Sequence, residues 1–94
     1  MYGTVMIAKV KGPVEEMKSR SERWAKEMGT DVGFIDEWVM ATDDGRCVVA
    51  VRFESKDAYL KLADNPRQDE WYRTEMMPLI DGEPQWIDGE WLAT

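Results

Sequence analysis

The chain has 94 residues, 19 of them acidic and 12 basic, a formal net charge of −7, and no histidine. So acidic a surface repels phosphate backbones and anionic lipid, which argues against nucleic acid and membrane as partners. The missing histidine excludes Ser-His-Asp and Cys-His catalysis, His-ligated zinc and a proximal-His haem site, leaving carboxylates, Tyr and Lys for acid–base work.

The length predicts one domain over residues 1–94. Hydrophobic residues make up 44% of it, with five Trp and seven Met. Such a load exceeds what a small core needs, so part of it is expected at a subunit interface or in a ligand pocket.

Tyr2 to Val10 alternates as a first strand, with Val5 and Ile7 on one face and Met6, Ala8 and Val10 on the other. Pro13 suits a first helical position, and Glu15 and Glu16 fall where the helix dipole favours anions. Val14, Met17, Ser21, Trp24 and Met28 then recur every three or four residues, predicting a helix over 13–28 that Gly29 stops.

Residues 33–42 and 46–54 flank Asp43-Asp44-Gly45 and predict a hairpin. A two-residue turn sets Glu37 opposite Arg52 and gathers Phe34, Trp38, Met40, Cys47, Val49, Val51 and Phe53 on one face. A three-residue loop pairs Asp36 with Arg52 instead, and the register stays open. Both faces are apolar enough to need cover, and a second copy of the chain is the economical way to supply it. Cys47, the lone cysteine, lies within this apolar run and reads as an inert core thiol. With no internal disulfide possible and no long apolar run, a cytoplasmic location is expected.

Ser55 caps a second helix that buries Ala58, Tyr59, Leu62 and Ala63. Asn65-Pro66 breaks it and starts a further helix carrying Gln68, Trp71, Tyr72, Glu75, Met76 and Leu79. Asp81-Gly82 is expected to turn the chain into a last strand, Glu83 to Leu92, with Trp86 on one face and Ile87 and Trp91 on the other.

The resulting β-α-β-β-α-β order is α+β and ferredoxin-like, with an antiparallel sheet backed by helices. The Asp43-Asp44-Gly45 hairpin, the junction from Val49 to Ala58, and the final strand with Pro84-Gln85-Trp86 and Gly89-Glu90-Trp91 carry a resemblance. Together they resemble the antibiotic biosynthesis monooxygenase (ABM) group of the dimeric α+β barrel superfamily. That resemblance implies a homodimer closing two sheets into a barrel, and a pocket between each sheet and its own helices. It also implies cofactor-free oxygenation of a small aromatic or polyketide-like molecule, through substrate deprotonation and electron transfer to dioxygen. Haem-degrading relatives place a His on the helical region, which this chain lacks.

The oxygenase members carry Asn, Trp and Tyr around the pocket helix, and Asn65, Trp71 and Tyr72 match that chemistry here. Asn65 is equally a helix cap, Trp71 equally core, and Tyr72 either orients or protonates a phenolate or points its hydroxyl outward. Trp38 lines either the pocket or the dimer seam. Arg52 either holds an anionic substrate or makes a cross-strand salt bridge. Phe34, Tyr59 and Met76 complete the expected apolar binding set. A non-catalytic binding or sensing module, or an isomerase or cyclase, are the alternatives on the same fold.

Overall fold

The computed structural model describes residues 1–28 and 33–94, so the expected helix stop at Gly29 lies outside the described residues. Four strands form one antiparallel sheet in the order β2-β3-β1-β4. They are β1 (Tyr2–Val10), β2 (Phe34–Ala41), β3 (Arg46–Phe53) and β4 (Ile80–Glu90). Three helices, α1 (Val14–Met28), α2 (Lys56–Ala63) and α3 (Pro66–Trp71), back it. This is the ferredoxin-like arrangement that the element order predicts.

The inner face of the sheet follows from strand alternation. Thr4, Met6 and Ala8 of β1 and Cys47, Val49, Val51 and Phe53 of β3 are buried. Onto them α1 lays Met17, Ser21, Trp24 and Met28, the stripe read from its spacing.

The hairpin closes with a three-residue loop. The Thr42 amide donates to the Arg46 carbonyl at 2.9 Å, and Gly45 takes φ +84°, a left-handed conformation suited to glycine. Asp36 therefore pairs with Arg52 and Glu37 with Val51, and the register shifts between Phe34 and Asp36. The three-residue loop reverses the face order expected from a two-residue turn over residues 36–41, and the register shift returns Phe34 to the side of Phe53. Trp38 and Met40 stand on the outer face, 72% and 59% exposed, while Glu37 turns inward.

The predicted caps hold. Ser55 Oγ accepts from the Ala58 amide at 3.2 Å, and Asn65 Oδ1 accepts from the Arg67 amide at 2.9 Å. The following helix departs from expectation. α3 ends at Trp71, and Tyr72–Met76 widens into a π-helical turn in which the Met77 amide donates back to the Tyr72 carbonyl. A 3-10 turn, Met77–Leu79, follows. Pro78 has no amide hydrogen to continue an α-helix, so the segment must change winding before it.

Asp81-Gly82 also differs from the expected turn. The two residues lie inside β4, where Gly82 takes φ +82° and the pairing with β1 shifts between Ile7 and Lys9. The strand thus starts three residues early and bulges instead of turning. Beyond it, Trp86 pairs with Met6 on the inner face and Ile87 with Val5 on the outer. No described helix is long and apolar enough to cross a membrane.

Candidate functional site

Between the inner face of the sheet and the helices lies a cavity of about 250 Å³. Benzene occupies engineered cavities of roughly 150 Å³, so this one has room for two or three fused rings. Met6, Val49, Val51 and Phe53 supply its sheet side, and Trp24, Leu62, Trp71 and Met76 its helical side. Trp86, half exposed, and Tyr72 line its open edge, their rings 5.7 Å apart and tilted by 59°.

Aromatic packing fixes these walls. Trp24 meets Phe34 edge-on at 5.2 Å and Trp71 at 6.3 Å. Its indole N–H donates to Gln68 Oε1, tying α1 to α3 across the cavity. Arg20 and Arg23 of α1 both reach Glu75 in the π turn, which anchors the neighbouring Tyr72 and Met76. The wider π winding brings Tyr72 and Met76 to the same cavity, a known use of such turns.

Of the residues singled out from sequence, Trp71, Tyr72, Tyr59 and Met76 meet at this cavity. Phe34 packs behind them, against Trp24 and Phe53. Asn65 accepts a hydrogen bond from the Arg67 amide on its side-chain oxygen. Arg52 points to the outer face and holds Asp36 there, with Nε 2.7 Å from Oδ1. Trp38 is on that outer face too. None of these four lines the cavity.

Four polar lining residues were not singled out from sequence: Thr4, Glu37, Gln68 and Asp69. Glu37 is the most consequential. Burial pushes its carboxyl up to about 7, and the nearby Ser21 hydroxyl offsets this only partly. That hydroxyl is itself buried without an aligned hydrogen-bond partner. Glu37 makes no ion pair among the described residues. The signal for it was the three-residue loop, which alone puts residue 37 on the face of Val49 and Val51.

The two lining tyrosines, Tyr59 and Tyr72, stay protonated at neutral pH. Tyr59 is raised to about 12, by burial first and then by Asp88, to which its hydroxyl donates at 3.1 Å. Burial raises Tyr72 as well. Both therefore serve as donors, not bases. The lining carries two carboxyl groups, Glu37 and Asp69, and no Lys or Arg. Cys47 is fully buried, and burial raises its thiol, which suits an inert core position. Among the described residues no three His, Cys, Asp or Glu side chains gather as a metal site.

An antiparallel sheet with helices on one face and an aromatic cavity between them defines a fold of the ABM type. No family model matches the sequence, and no curated protein is significantly similar to it. Solved structures are similar. SnoaB, a cofactor-independent oxygenase from Streptomyces nogalater, superposes with a TM-score of 0.72 at 18% identity, over 97% of this chain and 94% of its own. A monooxygenase from the gene ActVA-Orf6 of Streptomyces coelicolor, in complex with nanaomycin D, gives 0.69 at 24% identity, over 99% and 92%. MhuD, with two manganese protoporphyrin IX molecules bound per active site, gives 0.74 at 18% identity, over 100% and 97%. At these identities the likeness establishes the ABM-like fold and nothing further.

Proposed function

We propose that this chain is a cytoplasmic, homodimeric, cofactor-independent monooxygenase of small aromatic or polyketide-like molecules. The observation that carries the reading is the aromatic cavity between sheet and helices, sized for a few fused rings and furnished with proton donors. A protein of the same fold is described as a cofactor-independent oxygenase, and another holds the ligand nanaomycin D, which supports the assignment by analogy. In this reading Trp71, Met76 and Tyr59 hold the ring system, and Tyr72 donates to the oxygen that gains charge. Phe34 buttresses Trp24. Asn65 and Arg52, engaged by the Arg67 amide and by Asp36, support the framework around the site. Trp38 belongs to the seam between two copies.

For an anthrone, the reaction converts a ring CH₂ and dioxygen into a carbonyl and water. An oxygen electrode tests it directly: dioxygen uptake should match quinone formation one to one. Absence of uptake with quinols and anthrones would remove the oxygenase. Glu37 favours a second reading, an isomerase or cyclase, because one buried carboxyl is all the proton transfer such a reaction requires. Product formed under argon would select it.

A further inference from the structure

Glu37 stands at the cavity with nothing to neutralise it. On the inner face its sheet neighbours Val49, Val51 and Phe53 are apolar, and Val51 is its cross-strand partner. From α1 it faces Ser21, whose buried hydroxyl has no hydrogen-bond partner, and Arg20 and Arg23 of that helix reach Glu75. From α3 the cavity receives Gln68, which accepts from Trp24, and Asp69, which pairs with Arg73 at 3.1 Å. From α2 and the π turn come Tyr59 and Tyr72, both protonated at neutral pH.

Two consequences follow from this charge distribution. An anionic substrate is repelled, since the lining offers carboxyl groups and no cation. A neutral weak acid is accepted, and moving its proton to Glu37 leaves the charge inside the cavity unchanged. Such a transfer adds no buried charge, which removes the main obstacle to forming a substrate anion in an apolar site.

We propose that Glu37 is the catalytic base of this site, and that its substrate is a neutral, flat carbon acid of the anthrone or enolisable-ketone class. The step breaks the acidic C–H bond of the substrate. The proton goes to a Glu37 carboxylate oxygen, and the electron pair stays on the ring as an enolate, with Tyr72 donating to its oxygen. In the oxygenase reading, on which this inference rests for its later steps, that enolate then passes an electron to dioxygen. The elevated value of the Glu37 carboxyl, about 7, matches a base working near neutrality.

Proton removal can be read without oxidation. An anthrone is incubated with the protein in D₂O under argon, and deuterium entering its CH₂ group is followed by NMR. The wild type should exchange it well above the buffer rate, with an acid limb near pD 7. Glu37→Gln should lose exchange at least 100-fold. It should still bind anthraquinone, a non-exchanging analogue, within threefold of wild type. Ser21→Ala, which removes the group favouring the carboxylate, should move the acid limb to higher pD while keeping the plateau. Wild-type protein that exchanges no faster than buffer overturns the proposal, as does Glu37→Gln that exchanges normally. Exchange that depends on Glu37 without dioxygen uptake in air would keep the base and remove the oxygenase. Uptake that survives Glu37→Gln would keep the oxygenase and remove the base.

Discussion

Arg52 grips Asp36 on the outer face of the β2–β3 pair, and the adjoining Glu37 therefore faces inward to the cavity. Guanidinium and carboxylate meet through two hydrogen bonds, and that pairing holds Asp36 below the usual carboxylate range. Two adjacent acids thus have opposite fates, one kept ionised by a partner and one raised by burial.

For Arg52→Ala the expectation follows from that separation. Binding of anthraquinone should stay within threefold, because Arg52 does not line the cavity. The stability loss should be small, since both partners are about a third exposed and such pairs contribute little. Isothermal titration and a thermal melt check both. A large loss of ligand affinity would return Arg52 to the site.

Glu37 makes stability depend on pH with a definite sign. The unfolded chain ionises it near 4.5, and the folded chain keeps its proton up to about 7. Between those values the unfolded state binds fewer protons, so stability falls as pH rises and levels off above about 7. The gap is worth up to about 3 kcal/mol. Glu37→Gln removes the dependence. Urea unfolding should show the two proteins alike near pH 4.5 and the variant more stable at pH 8, with the difference opening between.

Trp24→Phe keeps the aromatic contacts of α1 but strands Gln68. Trp24 is 4% exposed, and its indole N–H is the donor to the Gln68 oxygen. The cost should be about 1–3 kcal/mol in denaturant unfolding. Combined with Gln68→Leu the effects should be non-additive, with a coupling of about 0.5–3 kcal/mol. Strict additivity would mean that the bond does not tie α1 to α3.

Most of the framework was legible because local rules govern it. Thr4, Met6 and Ala8 follow strand alternation, the Met17-to-Met28 stripe follows helical spacing, and Ser55 and Asn65 act as the caps their positions predict. Half of the site was legible for the same reason, since Trp71 and Tyr72 fall on the inward side of the helix opened by Pro66. The other half depended on one register. A two-residue and a three-residue hairpin loop differ by a single position, and that position decides whether residue 37 or residue 38 enters the cavity. The π turn was hidden too, although Pro78 announces that an α-helix cannot pass unchanged. Trp86 was placed on one strand face correctly, but only the sheet order brings that face to Tyr72.

Gly3 carries a tight constraint that its sequence context conceals. The Trp91 indole crosses above it and donates to the Val51 carbonyl at 3.1 Å. A Cβ on residue 3 would lie 1.9 Å from that oxygen and 2.3 Å from the indole nitrogen. The indole can swing aside, but the oxygen belongs to β3 and cannot retreat without parting the two strands. Gly3→Ala should therefore cost about 1–3 kcal/mol or more. Trp91→Phe should cost only about 1 kcal/mol for the lost bond. Equal losses in a urea titration would show the side chain, not the backbone, to be the limiting contact.

The outer face of the sheet is where the proposed second copy packs. Val5, Ile7, Val48 and Ala50 lie at its centre, with Trp38, Met40 and Ile87 exposed around them at 72%, 59% and 49%. Contiguous apolar surface of this kind marks an interaction site, and a copy of the same face across a two-fold axis is self-complementary. Sedimentation should give a dimer for the wild type, with a melting temperature that rises with protein concentration. Trp38→Glu places a charge opposite its own symmetry mate or in apolar surroundings, and should yield a monomer with an unchanged circular dichroism spectrum. A wild-type monomer at every concentration would leave the apolar face without its second copy and take the closed barrel out of the proposal.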